Sequence, residues 1–190
     1  MHSQEKLCDG QFYYALKENG EAVILGANEW PEVLRIPNEV AGHVVTEIGM
    51  GAFDTDAVIE QSGLVWNQSV PKELLAAKYM DLNIQRIAQE RIKEVYLPDT
   101  IQRIGACAFY QNNALEKINF PRGLKEIDSC AFANTQLSKV CVPKECKIYH
   151  EEGCEIWQEQ GAFEGCGGYD EGGYIPADPA YGIEIEYFED

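Results

Sequence analysis

Apolar residues fall at one repeated set of places along much of the chain. In residues 92–114, IKEVYLPDTIQRIGACAFYQNNA, the apolar places are Ile92, Val95, Leu97, Ile101, Ile104 and Phe109. In residues 115–136, LEKINFPRGLKEIDSCAFANTQ, they are Leu115, Ile118, Phe120, Leu124, Ile127 and Phe132, and Pro121 stands where Pro98 stands. Cys-Ala-Phe at 107–109 returns at 130–132, 23 residues on. Each unit opens with an alternation such as E-V-Y-L-P, the period of a strand with one face inward, here Val95 and Leu97. The proline that closes it has no N–H to donate and ends the ladder. A second short extended piece follows, I-Q-R-I-G, and then a turn of small residues that drops an aromatic inward. No unit of this length can bury its own apolar edge, so units must stack, and the pattern predicts a solenoid.

The same grammar extends in both directions. Residues 31–53 carry Leu34, Ile36, Pro37, Val40, Ile48, Gly49, Ala52 and Phe53, with a few extra residues around Gly42. Residues 137–166 carry Leu137, Val140, Val142 and Pro143, but Ala162 and Phe163 arrive late, after an insertion at 149–157, YHEEGCEIW. Between these blocks, residues 65–91 read as a degenerate second coil, with Val65, Val70, Pro71 and Leu74 at the right offsets. Its aromatic half is replaced by KELLAAKYMDLNIQRIAQERI, whose apolar residues have helical spacing and predict core packing. Coils are thus expected at 31–53, 65–91, 92–114, 115–136 and 137–166. Residues 11–27, with Asn19-Gly20 at a hairpin turn, precede them, and an acidic C-terminal segment, 167–190, follows.

The segments LPDTIQRIGACAF, FPRGLKEIDSCAF and IPNEVAGHVVTEIGMGAF, with AFEGC at 162–166, resemble the leucine-rich repeats of the BspA-like family. The resemblance covers residues 12–166 with interruptions. It implies an α/β-type, β-rich solenoid: a leucine-rich repeat superhelix of about five coils with an N-terminal β-hairpin cap over 11–27. It also implies a non-enzymatic protein-interaction module of host-associated bacteria and some protozoa, exported, and acting in adhesion or recognition of a host or cell-surface protein.

On stacked strands the exposed side chains of successive coils merge into one surface. The alternation puts Arg35, Ser69, Tyr96, Asn119 and Cys141 in one outward row, and Val33, Asn67, Glu94, Lys117 and Lys139 in the next. A tyrosine flanked by Arg and Lys is the composition of a protein contact. Arg35, Tyr96, Lys117, Asn119 and Lys139 are therefore the expected partner-binding residues. The plain alternative is that these are ordinary solvated strand positions.

Composition narrows the rest. The 190 residues, 45% hydrophobic, suffice for one stacked array rather than two domains. A formal charge of −17 argues against nucleic acid, which requires clustered cations, and against anionic membrane surfaces. No stretch has the roughly 20 apolar residues of a membrane span. The charge is polarised, since residues 145–190 hold 13 acidic side chains against Lys147 alone. Within that segment GIEIEYF alternates and predicts a strand laid against the last coil. The opening MHSQEKLCDG lacks the basic-then-apolar order of an export signal, so the expectation drawn from it is a cytosolic chain or one whose signal has been removed.

Seven cysteines cannot all pair within one chain, and Cys107 and Cys130, at equivalent places, read as small reduced hydrophobes. The alternative to an interaction module is a metal- or thiol-dependent protein centred on Cys141, Cys146, His150, Cys154 and Cys166, since thiolate and imidazole suit zinc. The spacing is not that of a known finger, and Cys141 and Cys146 fall on opposite faces of the predicted coil. No metal or other cofactor is therefore expected. GCGGYDEGGY has the glycines of a phosphate loop without its Lys or Ser/Thr, there is no G-x-S-x-G, and His43 sits at a turn as a structural or solvated side chain, so no catalytic residue is expected.

Overall fold

The computed structural model describes residues 5–54, 91–149, 161–163 and 183–188. All regular elements among these residues are strands. They are β1 (Leu7–Cys8), β2 (Phe12–Leu16), β3 (Ala22–Ala27), β4 (Val33–Arg35), β5 (Glu39–Val40), β6 (His43–Ile48), β7 (Glu94–Tyr96), β8 (Arg103–Ile104), β9 (Lys117–Asn119), β10 (Glu126–Ile127), β11 (Lys139–Val142), β12 (Lys147–Ile148) and β13 (Glu184–Tyr187). The helical apolar face expected within 65–91 lies outside the described residues except for Arg91.

Coils 31–53, 92–114 and 115–136 contribute their first strands to one sheet, and these three together with coil 137–166 contribute their second extended pieces to another. β4, β7 and β9 form a parallel three-stranded sheet, with Leu34, Val95 and Ile118 in register and turned inward. β6, β8, β10 and β12 run parallel in the larger sheet, where Ile48, Ile104, Ile127 and Ile148 align. That sheet continues through β3, which is parallel to β6, into β2, which is antiparallel to β3. The turn between β2 and β3 closes with the Lys17 amide donating to the Glu21 carbonyl at 2.8 Å, and Gly20 takes a φ of 82° that suits glycine.

The Ala-Phe turns form a third hydrogen-bonded column. The amides of Phe53, Phe109 and Phe132 donate to the carbonyls of Ala108, Ala131 and Ala162, each at 2.8 Å. Their rings stack: Phe53 on Phe109, Phe109 on Phe132 and Phe132 on Phe163, with centroids 5.2, 5.3 and 5.3 Å apart. Trp30 closes one end of the column edge-on against Phe53. The glycine of each Ile-Gly pair answers a close approach between coils: a Cβ on Gly105 would lie 2.7 Å from the Met50 amide nitrogen.

The degenerate coil expected at 65–91 likewise lies outside the described residues except for Arg91. Coil 31–53 pairs directly with coil 92–114, Val33 opposite Glu94 in one sheet and Glu47 opposite Arg103 in the other. The insertion at 149–157 leaves the register intact. β12 pairs with β10 before it, and the Ala162 amide returns to the Tyr149 carbonyl at 3.0 Å after it.

Candidate interaction face

The outward row of β4 and β7 is built around one tyrosine. Tyr96 and Arg35 are register partners, and the Arg35 guanidinium carbon sits 4.1 Å from the Tyr96 ring centroid. The Tyr96 hydroxyl donates to Glu94 Oε2 at 3.0 Å, and Lys117 Nζ donates to Glu94 Oε1 at 3.1 Å. These hydrogen bonds, the one from Lys117 first and that from Tyr96 second, hold the Glu94 carboxyl below its ordinary pKa, and the same contact raises that of Lys117. Arg35, Tyr96, Glu94 and Lys117 therefore form one linked group drawn from three coils. Tyr96 is still 39% exposed, and Val33 beside it is 40% exposed.

The other two expected residues are engaged differently. Asn119 uses both ends of its amide on the neighbouring coil: Oδ1 accepts from the Leu97 amide at 2.8 Å, and Nδ2 donates to the Leu97 carbonyl at 2.9 Å. It serves as a backbone splice between coils. Lys139 does not join Lys117 in a bare basic pair. β11 lies next to β9 and pairs in parallel with β13, which brings Glu186 to 2.6 Å and Glu184 to 3.5 Å from Lys139 Nζ. Glu186 donates nothing, and its hydrogen bond from Lys139 heads the causes that raise the lysine's pKa. The GIEIEYF segment thus covers the edge of β11, with Ile183 and Ile185 packed on the core.

Sequence reasoning missed a second polar cluster, on the other sheet. Arg103 reaches Glu47 at 2.6 Å, Glu126 at 3.3 Å and Asp128, carboxylates supplied by the coils before and after its own. Lys17 joins Glu47 at 3.0 Å and ties the β2–β3 turn to this cluster. The signal was present, since Glu47, Arg103, Glu126 and Lys147 occupy one register row of alternating charge. His43 has the structural part expected of it, its Nδ1 lying 2.8 Å from the Gly20 carbonyl oxygen.

Among the described residues no three His, Cys, Asp or Glu side chains are grouped to hold a metal ion. His150, Cys154 and Cys166 lie outside the described residues. Burial pushes the Cys146 thiol up to about 11, which opposes the thiolate a metal would need. Cys107 and Cys130 form no disulfide and sit at left-handed turn positions, with φ of 55° and 52°. Hydrogen bonding to Cys130, and then burial, drives the Cys107 thiol well above its ordinary pKa and keeps it protonated.

Residues 86–154 match the BspA type leucine rich repeat region in 6 copies, and this stretch of the chain is a leucine-rich repeat region of that type. Among solved structures, a leucine-rich repeat protein from Bacteroides capillosus ATCC 29799 aligns with a TM-score of 0.51 at 17% identity, over 85% of this chain and 96% of that one. A leucine rich cell surface protein from Faecalibacterium prausnitzii A2-165 aligns with a TM-score of 0.51 at 18% identity, over 76% of this chain and 38% of that one. The T. pallidum leucine rich repeat protein gives 0.49 at 18% identity, and the alignment spans 73% of this chain and 53% of that protein. A search of curated proteins finds no match. The chain is thus β-rich with leucine-rich-repeat neighbours, a class whose members are generally binding modules. No helix among the described residues is long and apolar enough to cross a membrane.

Proposed function

We propose that the chain is a non-enzymatic protein-interaction module that recognises a protein ligand, in adhesion or surface recognition, through the outward face of β4, β7 and β9. In this reading the array is a leucine-rich-repeat solenoid of coils 31–53, 92–114, 115–136 and 137–166, the β2–β3 hairpin covers its first coil, and β13 covers one edge of its last. The observation that carries the reading is the Arg35–Tyr96–Glu94–Lys117 group. Its side chains are held in one arrangement by mutual contacts, so little rotamer entropy remains to be lost on binding. A half-exposed tyrosine held by an arginine has the make-up of interface anchors. Lys139 lies at the margin of this face, and Asn119 supports it from within.

A surface location is favoured by the neighbour from Faecalibacterium, described as a cell surface protein. The test is binding of the purified chain to a panel of immobilised extracellular proteins, compared with a Tyr96→Ala, Lys117→Glu variant. Loss of a specific signal in the variant, with folding intact, is the expected result. A signal that survives in the variant would reject this face.

A further inference from the structure

We propose that the rim of the stack, where the turns after Pro121 and Pro143 meet the chain beyond β13, holds a binding site for a small phosphomonoester, independent of the strand face. An open cavity of about 410 Å³ lies there. Arg122, Leu124, Lys125, Lys144, Glu145 and Phe188 are among the residues that line it. That volume falls in the range of sites that take small molecules, roughly 300 to 1,000 Å³.

The cavity gathers three cations in one place, each without an ion-pair partner among the described residues, as Lys6, Arg35 and Lys147 are singly elsewhere. Lys17, Lys93, Arg103, Lys117 and Lys139 each contact at least one carboxylate. Among the described residues Arg122, Lys125 and Lys144 have none, although the chain carries a net charge of −17. Lys125 Nζ donates to the neutral Gln102 Oε1 at 2.8 Å and keeps its other protons for a ligand. The Arg122 guanidinium lies over the Phe188 ring, 5.1 Å from its centroid. An arginine stacked on one face keeps its N–H edge open for an oxyanion. Phe188 is itself anchored, its amide donating to the Val142 carbonyl at 3.0 Å, so the strand that covers β11 also positions this guanidinium.

The charge balance selects the ligand. Three cations against Glu145 leave an excess of two positive charges, which matches a phosphomonoester, about −1.5 to −2 at neutral pH, better than a single carboxylate. A tetrahedral phosphate can also receive donors from three directions at once. Leu124, Pro143 and Phe188 offer apolar contact to the body of the ligand, and Glu145 offers an acceptor for a hydroxyl group on it. A phosphorylated sugar or polyol is the class that uses all of these groups.

Isothermal titration of the full chain with glucose 6-phosphate, inorganic phosphate and glucose tests the assignment. The sugar phosphate is expected to bind, inorganic phosphate more weakly and glucose not at all. Affinity for the sugar phosphate should fall as pH drops below about 6, where the phosphate loses its second charge. Arg122→Gln and Lys144→Gln should each weaken it about tenfold or more, as expected when a charged hydrogen bond is lost, with unfolding midpoints unchanged. Tyr96→Ala should leave it intact, which separates this site from the strand face. The proposal is overturned by absence of binding at millimolar glucose 6-phosphate, by equal binding of glucose, or by unaltered affinity in both variants. Inorganic phosphate binding as tightly as the ester would assign the site to the free anion and overturn it as well.

Discussion

Phe53 and Phe109 lie face to face, with ring centroids 5.2 Å apart and planes within 11°, although residues 54–108 separate them along the chain. The Phe53 amide also donates to the Ala108 carbonyl, and the Asn112 side-chain amide donates to the Phe53 carbonyl at 2.7 Å. Coil 31–53 is therefore seated on coil 92–114 by stacking, backbone pairing and a buried side-chain bond together.

The first prediction is that this seam does not need residues 56–89. Elsewhere, Phe109 reaches the next coil at Leu115 and Phe132 reaches Leu137 through a few residues each. Replacing 56–89 with a short Gly-Ser linker should preserve cooperative unfolding, since loop length changes closure entropy by only about 0.6 kcal/mol per doubling. Loss of the cooperative transition in urea would show that the seam depends on the excised segment.

Phe132 stacks between Phe109 and Phe163 and is fully buried. Phe132→Ala should cost about 3 to 5 kcal/mol, the loss of its apolar transfer plus the cavity left between two coils. Urea unfolding that shows a loss under about 1 kcal/mol would contradict the aromatic column as the core of the stack.

Gly105→Ala is expected to destabilise by about 1 to 3 kcal/mol, as overpacking does. The added methyl would meet the Met50 amide nitrogen and Gly49 carbonyl carbon at 2.7 and 3.0 Å, backbone atoms that can move only by parting two coils. Gly123→Ala is the control, because its nearest neighbour is at 3.3 Å and the turn is exposed. Equal thermal midpoints for the two variants would refute the close-approach account.

What could be read from sequence follows from the kind of information each feature carries. The inward positions of Leu34, Val95, Ile104 and Phe132 were legible because burial repeats with the coil, and so was the pairing of GIEIEYF, whose alternation allows one face to be buried. That coil 31–53 pairs directly with coil 92–114 was not legible, because a repeat alignment fixes phase and not neighbours. The outward row holding Arg35 and Tyr96 was also predictable, and the two are register partners. The partners of its polar side chains were not, because Glu94 and Glu186 come from other strands and only the packed sheets decide which lysine each one meets. Asn119 shows the same limit, since an exposed position in the pattern turned out to bond the preceding coil's backbone. The rim groove gave no sequence signal beyond scattered cations, because its walls come from three separate segments.

Glu94 gives the pH prediction. Its folded-state pKa lies below the ordinary value, so its contribution is fully present above the unfolded carboxylate pKa, about 4.3, and is lost as pH falls through the lower folded value. Lys117→Met removes the larger of the two hydrogen-bond causes. The Glu94 carboxyl should then titrate closer to the ordinary value, as followed by carbon NMR of its side chain. An unchanged midpoint would mean that Lys117 does not hold Glu94 in solution.

The last prediction concerns recognition. Tyr96 and Lys117 stand on adjacent strands and share Glu94, so changing both should dismantle the linked group without touching the core. Tyr96→Ala with Lys117→Glu should abolish capture of a protein ligand while leaving the unfolding midpoint within about 0.5 kcal/mol, the usual range for exposed positions. Reversing a cation elsewhere, Lys125→Glu, changes net charge by the same amount as Lys117→Glu but lies at the rim groove. It should leave protein capture near the wild-type level, because Lys125 lies outside the β4–β7–β9 sheet and exposed charges act only weakly at a distance in physiological salt. Surface plasmon resonance with the same immobilised protein for all three chains makes the comparison. If Lys125→Glu alone loses binding and the double variant retains it, the contact runs through the rim, and the strand face is a solvated surface.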